Sequence, residues 1–243
     1  MSLKKVFQRK EDKYLLTQEQ FLAFQTELKQ QMQVDTYGLH TIMSLYYDTA
    51  DYRFIKSSME KPKYKEKFRV RSYGTPNTEA EVFLEMKKKI ERIVYKRRVA
   101  MPYPEYEVWQ KGQHHVANQE NPQIAAEINW LFKNHQDLHP KVLIAYDRLS
   151  FFCEDNPEFR VTFDQNIRYR TTNLRLAAGS EGDLVAPEIG VLMEVKALAA
   201  YPIWFVELLN QHQLRKGSFS KYAQTYQRYL HHREEENHVY QCL

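Results

Sequence analysis

Residues 65–73 read Lys65-Glu-Lys-Phe-Arg-Val-Arg-Ser-Tyr73, and this stretch decides the predicted fold. Successive side chains of an extended strand point to opposite faces of a sheet. The alternation places three cations on one face and two apolar groups on the other, namely Lys67, Arg69 and Arg71 against Phe68 and Val70. Like charges on one face repel each other, so such a face is costly unless an anion lies over it.

Several other stretches repeat this alternation of charged and apolar positions. Their in-phase charged residues are Arg9, Glu11, Lys13, Glu85, Lys87, Lys89, Lys96, Arg98, Arg148, Arg160, Glu194 and Lys196. The opposite faces are mostly apolar and need cover, which helices can supply. A closed barrel satisfies both requirements, because its bore can hold the charged residues while helices pack around its outside.

The rest of the pattern predicts about eight strands with helices inserted between them. The predicted strands cover residues 6–16, 40–48, 64–73, 80–89, 93–100, 142–152, 159–171 and 191–198. Thr17 and Gln20 form a capping box before apolar residues at helical spacing, which predicts a helix to about Met32. Further helices are predicted over residues 49–59, 121–135, 202–211 and 218–230. No strand–helix–strand alternation is sustained, so we expect an antiparallel sheet in an α+β fold.

Composition limits the classes of function that need to be considered. The 243 residues suffice for one large domain or two small ones. The net charge of +4 is mild, so an anion site must come from local clustering of cations. Cys153 and Cys242 are too few for a disulfide framework or a metal site. The chain shows no apolar run long enough to span a bilayer and no signal peptide, which favours a cytoplasmic protein.

The predicted bore is rich in arginine and lysine, which fits a chain of inorganic phosphates. Arginine offers bidentate hydrogen bonds to phosphate oxygens, and lysine adds point charge. The few carboxylates can hold a divalent cation that bridges phosphates. The same residues also have simpler interpretations. Basic runs are usually solvated, and the carboxylates and arginines could form structural ion pairs. Asp48 and Asp164 are expected to cap turns or orient arginines.

A set of short motifs occurs in one order along residues 4–230. These are Arg9-x-Glu11-x-Lys13-Tyr14, Ser44-Leu-Tyr-Tyr-Asp48-Thr49, Lys67-x-Arg69-x-Arg71-x-Tyr73, Glu85-x-Lys87, Lys96-Arg-Arg98, Tyr146-x-Arg148, Arg160-Val-Thr-x-Asp164, Glu194-x-Lys196 and Ser218-x-Ser-Lys221-Tyr222. Each motif alone is weak, but the ordered set resembles the VTC domain. This family is the polyphosphate polymerase branch of the triphosphate tunnel metalloenzymes, within the CYTH-like superfamily.

The resemblance implies a single triphosphate tunnel domain over residues 1–232, followed by a polar tail over residues 233–243. It implies an eight-stranded antiparallel β-barrel tunnel with helices packed around the outside. The tunnel would hold ATP or another triphosphate, and a divalent metal, Mn²⁺ or Mg²⁺, would assist transfer of the γ-phosphoryl group to inorganic polyphosphate. No nucleic-acid partner and no membrane segment are expected.

The resemblance also assigns roles to individual residues. Phosphate-binding roles are implied for Lys13, Lys67, Arg69, Arg71, Lys87, Lys96, Arg98, Arg148, Arg160, Lys196 and Lys221. Catalytic roles are implied for Arg69, Arg71, Lys87, Arg148, Arg160 and Glu194. The implied metal ligands are Glu194 first, with Glu85 and Glu11 behind it. Ser218 and Tyr222 are expected to fix the last helix near one mouth of the tunnel.

Two other functions compete with polymerisation. Related triphosphate hydrolases begin with Glu-x-Glu-x-Lys, whereas Arg9 occupies the first of these positions. One carboxylate fewer favours a polymerase over a triphosphatase that uses the same tunnel. A non-catalytic polyphosphate sensor is the second alternative. Nucleic-acid binding is disfavoured, because Phe68 is the only aromatic residue within Lys67–Arg71 and points away from the cations.

Overall fold

A computed structural model of the chain describes residues 10–231 except residues 61, 92 and 113. Arg9 and the predicted tail over residues 233–243 lie outside the described residues. The strands are β1 (Lys10–Leu16), β2 (Gln33–Val34), β3 (His40–Asp48), β4 (Tyr64–Tyr73), β5 (Glu81–Ile90), β6 (Ile93–Pro102), β7 (His139–Phe152), β8 (Arg160–Arg170), β9 (Asp183–Leu184), β10 (Val191–Ala197) and β11 (Lys216–Gly217). The eight longer strands correspond to the eight predicted ones.

The helices lie between strands at the predicted places, except for one over residues 103–111 that was not predicted. They are α1 (Gln18–Leu28), α2 (Arg53–Met59), α3 (Tyr103–Lys111), α4 (Pro122–Asn134), α5 (Ile203–Gln211) and α6 (Lys221–Thr225). A π-helical turn, Tyr226–Leu230, continues α6. The capping box of α1 is confirmed, since Thr17 Oγ1 accepts a hydrogen bond from Gln20 N at 3.1 Å and Gln20 Oε1 accepts one from Thr17 N at 3.0 Å.

The chain divides into two compact units, each with its own core. Unit 1 comprises residues 10–40, Tyr146–Ile167 and Ala186–Ser220, and unit 2 comprises Thr41–Ala145, Arg168–Val185 and residues 221–231. The core of unit 1 includes Phe24 of α1, Phe163 of β8 and Phe205 of α5. The core of unit 2 includes Phe68 of β4, Trp109 of α3 and Phe132 of α4. In each unit, therefore, helices cover the apolar face of the strands, as the charge alternation requires.

The sheet is antiparallel but does not close into the predicted eight-stranded barrel. Among the described residues it has eleven strands. Nine are ordered β11-β1-β10-β8-β7 in unit 1 and β7-β3-β4-β5-β6 in unit 2, while β2 pairs with β7 and β9 pairs with β8. Strand β7 appears in both orders because it runs from unit 2 into unit 1. The end strands β11 and β6 are not paired with each other. The prediction of a closed barrel was wrong because alternation fixes the face of each side chain, not the partner of an edge strand.

Within the described part of the chain, none of the helices is both long enough and apolar enough to cross a bilayer.

Candidate functional site

The predicted site residues form two groups, one in each unit, which we name by a central carboxylate. The Glu194 cluster in unit 1 consists of Glu11, Lys13, Arg148, Arg160, Glu194 and Lys196. The Glu85 cluster in unit 2 consists of Lys67, Arg69, Arg71, Glu85, Lys87, Lys96, Arg98 and Lys221. All of these residues lie on strands except Lys221, which is the first residue of α6 and is half-buried.

The strands of unit 2 alternate as predicted, because the residues between the cations are buried in the core. Phe68 of β4 and Met86 of β5 are fully buried. Lys88, which shares the phase of Met86, also points to this side, where its Nζ lies 3.6 Å from Glu127 Oε2 of α4. The face of β4 and β5 that carries the Glu85 cluster is therefore the one opposite this core.

Glu85 is the buried centre of its cluster. It lies directly opposite Arg69 of β4 and Arg98 of β6. Its Oε2 accepts a hydrogen bond from Arg69 Nε at 2.8 Å and lies 2.7 Å from Arg69 Nη2. Arg71 Nη1 lies 3.8 Å from the same oxygen, and Lys96 Nζ lies 3.6 Å from Oε1. Burial raises the pKa of Glu85, but these neighbouring cations outweigh burial and lower the pKa to about 2, so Glu85 is ionised at neutral pH.

A row of three lysines lies two residues along the strands from the row that contains Glu85. Lys67 of β4 is opposite Lys87 of β5, which is opposite Lys96 of β6. Burial, with a smaller contribution from neighbouring cations, lowers the pKa of Lys67 to about 8. Within the described residues neither Lys67 nor Lys87 has a carboxylate within 4.0 Å of its Nζ. Because like charges directly opposite each other destabilise a sheet, an anion over this row would be favourable.

Tyr46 of β3 belongs to the same charged face, although the sequence did not identify it as a site residue. It lies opposite Arg69, and its hydroxyl accepts a hydrogen bond from Arg69 Nη1 at 3.0 Å. Burial raises the pKa of Tyr46, but Arg69, Arg71 and Lys67 outweigh burial and lower it. A lowered phenol pKa in a buried position indicates a strongly positive environment. The sequence predicted which residues of β3 share a face with Tyr46, but it did not predict that Tyr46 pairs with Arg69 of β4.

Phe83 is a second aromatic residue on this face. It lies opposite Arg71, and the guanidinium of Arg98 is 3.6 Å from the centre of its ring. The lack of aromatic residues among the cations therefore holds for residues 67–71 of β4 and not for the whole charged face.

In the Glu194 cluster a buried carboxylate again lies between cations. Glu194 of β10 is opposite Lys13 of β1, and its Oε1 is 3.1 Å from Lys13 Nζ. Its Oε2 is 3.5 Å from Arg148 Nη2. Lys13 Nζ also donates a hydrogen bond to the carbonyl oxygen of Phe219 at 2.8 Å. Glu194 is only 8% exposed, so these contacts neutralise a buried charge.

A neighbouring row of the same cluster is more exposed. Glu11 of β1 is opposite Lys196 of β10, which is opposite Arg160 of β8. Glu11 and Arg160 are exposed and Lys196 is half-buried. This row adds two cations beside the Lys13–Glu194 pair on the same face of unit 1.

Arg148 is held by a carboxylate rather than lying among cations alone. Its Nε and Nη2 donate to Asp164 Oδ1 and Oδ2 at 2.6 and 2.8 Å, which is a bidentate pair. Asp164 is fully buried. Burial lowers the pKa of Arg148, but Tyr146, Asp164 and Glu194 outweigh it and raise the pKa. Asp164 therefore orients an arginine, as the sequence led us to expect.

The candidate metal ligands do not form a preformed cage. Glu11 and Glu194 lie in unit 1, whereas Glu85 lies in unit 2. Within the described ranges, no three His, Cys, Asp or Glu side chains are grouped closely enough to hold a metal. Mg²⁺ is often bound by one or two carboxylates together with substrate phosphates. Glu194 and Glu11, on one face of adjacent strands, fit a metal that binds in this way.

Tyr222 and Ser218 differ in what they contact. The Tyr222 hydroxyl donates to Asp48 Oδ2 at 2.8 Å, so this side chain helps to fix the last helical segment. Asp48 also accepts a hydrogen bond from Phe54 N at 2.8 Å and therefore caps the start of α2, as expected. Ser218 is exposed.

Comparison with known proteins adds a family and a fold. The chain matches the VTC domain family over residues 8–230. A candidate adenylate cyclase from Bacillus halodurans gives a TM-score of 0.55 at 13% identity, covering 90% of this chain and 95% of that chain. A candidate adenylyl cyclase from Hippeastrum with a dominant triphosphatase activity gives a TM-score of 0.54 at 12% identity, covering 88% and 93%. At these identities the likeness shows the fold alone. The curated proteins contain no match.

Proposed function

Since this chain belongs to the VTC domain family, we propose that it is a metal-dependent polyphosphate polymerase. It transfers the γ-phosphoryl group of ATP to the end of an inorganic polyphosphate chain. In this proposal the cations of each cluster bind phosphates.

The lysine row of unit 2 is the observation that carries the proposal. Lys67, Lys87 and Lys96 lie directly opposite one another on three adjacent strands. The nearby carboxylate of Glu85 is already bonded to Arg69. Such a row is unfavourable in the free protein, and a multiply charged anion would relieve the repulsion.

The length of the cationic face favours a chain of phosphates over a single triphosphate. Along β4 the cations run from Lys65 to Arg71, which spans about 20 Å at the rise of an extended strand. A triphosphate group has three phosphorus atoms and two bridging oxygens, and it covers less than half of that length. The remaining cations can bind further phosphates of a polymer.

The chemistry requires alignment and neutralisation of charge rather than covalent work by the protein. The bond from the γ-phosphorus to the β–γ bridging oxygen breaks, and ADP keeps the electron pair. A new bond forms to a terminal oxygen of the acceptor phosphate. That oxygen is already ionised at neutral pH, so no general base is needed. Arg69, Arg71 and Lys87 neutralise the charge that develops on the phosphoryl oxygens.

A divalent metal, when bound, would offset the negative charge of phosphate oxygens. Glu194, with Glu11 on the adjacent strand, would hold it. Lys13 and Arg148, which contact Glu194 in the free protein, hold this carboxylate in place.

Triphosphate hydrolysis is the second candidate function. The Hippeastrum protein of similar fold has a dominant triphosphatase activity. Water as the acceptor would turn the proposed polymerase site into a triphosphatase. A polyphosphate sensor would bind the same polyanion without turnover.

Product analysis separates these functions. Purified protein is incubated with ATP and Mn²⁺ or Mg²⁺, and long-chain polyphosphate, ADP and free phosphate are quantified. Polymer with matching ADP supports the polymerase, whereas free phosphate without polymer contradicts it and identifies a triphosphatase. Tight binding of polyphosphate without any product identifies a sensor. The Glu194→Gln variant is the control, because it should lose turnover in the two enzymes and should not change the affinity of a sensor.

A further inference from the structure

Three tyrosines attach the last helical segment to the rest of unit 2. This segment comprises α6 and the π-helical turn, Lys221–Leu230. Tyr222, Tyr226 and Tyr229 recur at positions that share one side of a helix. Tyr226 packs against Tyr52, with ring centres 5.4 Å apart. The other two tyrosines each combine a stacked ring with a hydroxyl that donates a hydrogen bond.

Tyr222 is fixed at its hydroxyl by a buried carboxylate. The hydroxyl donates to Asp48 Oδ2 at 2.8 Å, and Asp48 is fully buried. Asp48 is itself held by the backbone amides of Phe54 at 2.8 Å and Ile55 at 3.1 Å. The position of the Tyr222 ring is therefore determined by the start of α2.

The ring of Tyr222 in turn determines the position of Tyr46. The two rings are stacked, with centres 4.6 Å apart and planes at 26°. The Tyr46 hydroxyl accepts a hydrogen bond from Arg69 Nη1 at 3.0 Å, while Arg69 Nε donates to Glu85 at 2.8 Å. A continuous series of contacts thus joins the last helical segment to an arginine of the Glu85 cluster.

We propose that Tyr222 is a positioning residue that orients Arg69 for phosphate through the ring of Tyr46. The inference rests on the proposed function, because it assumes that Arg69 binds phosphate. An arginine already held by Tyr46 and Glu85 loses less side-chain freedom when an anion binds, and this preorganisation raises affinity.

Tyr229 provides a matched control on the same segment. Its ring stacks on Tyr169, with centres 4.7 Å apart and planes at 18°. Its hydroxyl donates to the carbonyl oxygens of Leu184 at 3.3 Å and Val185 at 3.2 Å. Tyr229→Phe and Tyr222→Phe each remove one hydroxyl and keep one stacked ring, but only Tyr222 contacts the series that leads to Arg69.

The test is calorimetric titration with inorganic tripolyphosphate, with thermal unfolding of each variant in parallel. We expect Tyr222→Phe to weaken binding about three- to tenfold, and Tyr229→Phe to change it less than twofold. In an Arg69→Gln background Tyr222→Phe should have no further effect, because its influence acts through Arg69. Tyr46→Phe removes the hydroxyl that accepts a hydrogen bond from Arg69 but keeps the ring stacked on Tyr222, so it should also weaken binding about three- to tenfold. This second variant tests the proposal if Tyr222→Phe does not fold.

The outcomes distinguish this inference from the proposed function. If the wild-type chain binds tripolyphosphate and both Tyr222→Phe and Tyr46→Phe bind it equally well, the positioning role is wrong and the proposed site stands. An equal loss from Tyr222→Phe with and without Arg69 also overturns the role, since it would show a general structural effect. If the wild-type chain does not bind tripolyphosphate at all, the proposed function fails and the inference fails with it.

Discussion

Lys67 and Lys87 lie directly opposite each other on neighbouring strands, on a face that already carries Arg69 and Arg71. Such a pair lowers the stability of the free protein, because like charges at paired positions destabilise a sheet. The pair is understandable if its role is to bind an anion.

Removal of a lysine from the row should stabilise the free protein and weaken ligand binding. We expect Lys87→Ala to raise the free energy of unfolding by about 0.5 kcal/mol, because a repulsive pair is lost. The affinity for tripolyphosphate should fall about tenfold. Lys88→Ala is the control, because Lys88 points to the opposite side and lies 3.6 Å from Glu127. It should lower stability slightly and leave affinity unchanged in denaturant melts and titrations. The opposite pattern for the two variants would place the ligand on the other face.

Acid should destabilise the fold through Glu85. Its pKa is lowered from a usual value of 4.5 to about 2, so its stabilising effect is fully present above pH 4.5 and is lost as the pH falls towards 2. A shift of this size corresponds to about 3 kcal/mol. Glu85→Gln should be less stable than the wild type at pH 7 by a similar amount, and the difference should narrow below pH 4.5. Urea unfolding at several pH values measures it, and a difference that stays constant down to pH 2 would argue against the ion pairs.

Mildly alkaline pH should weaken phosphate binding through Lys67. Its pKa is lowered from a usual value of 10.5 to about 8, because burial and nearby cations disfavour its charged form. Anion affinity should therefore decline as the pH rises through 8. Without ligand, Lys67 is more protonated in the unfolded chain than in the folded chain between pH 8 and 10.5. Its titration therefore makes the free energy of unfolding rise with pH in this range. Lys67→Met should remove both effects. Titrations and melts from pH 7 to 10 check them, and a pH dependence that Lys67→Met retains must come from another group.

Two arginines of unit 1 should separate structural from ligand-binding effects. Arg148→Gln leaves the buried carboxylate of Asp164 without its bidentate partner, which should cost about 3–5 kcal/mol of stability. Arg160 is exposed, so Arg160→Gln should change stability by less than about 0.5 kcal/mol while reducing tripolyphosphate affinity. Thermal unfolding and titration of both variants test this contrast. Equal loss of stability in the two variants would mean that Arg160 is also part of a structural pair.

Metal removal should affect turnover more than binding. In the proposed function Glu194 and Glu11 hold the metal, whereas side-chain cations provide most of the affinity for phosphate. A chelator should therefore abolish product formation from ATP and leave tripolyphosphate binding within a few-fold of its original strength. Complete loss of binding in the chelator would show that the metal, not the basic residues, provides most of the affinity.

The sequence predicted which side chains lie on each face of a strand better than it predicted which strands pair with each other. The alternation around Phe68 correctly separated the charged side of β4 from its core side, and the pairing of Thr17 with Gln20 marked the start of α1. Barrel closure was predicted wrongly, because a period of two carries no information on which edge strands pair. Strands β2, β9 and β11 have two residues each, so they are too short to show any alternation.

The contacts within the site could be predicted only in part. The sequence identified Arg69 and Glu85 as charged residues on alternating positions, but their pairing depends on the register between β4 and β5. Tyr46 was missed for the same reason, since its role depends on lying opposite Arg69. Asp164 was expected to orient an arginine, and its contact with Arg148 agrees with that expectation.

The central claim is that the charged faces of these strands bind phosphates, and a crystal structure with tripolyphosphate and Mn²⁺ tests it most directly. We predict phosphate oxygens within hydrogen-bond distance of Arg69 and Lys87. A tripolyphosphate that binds only outside the Glu85 and Glu194 clusters would contradict the account.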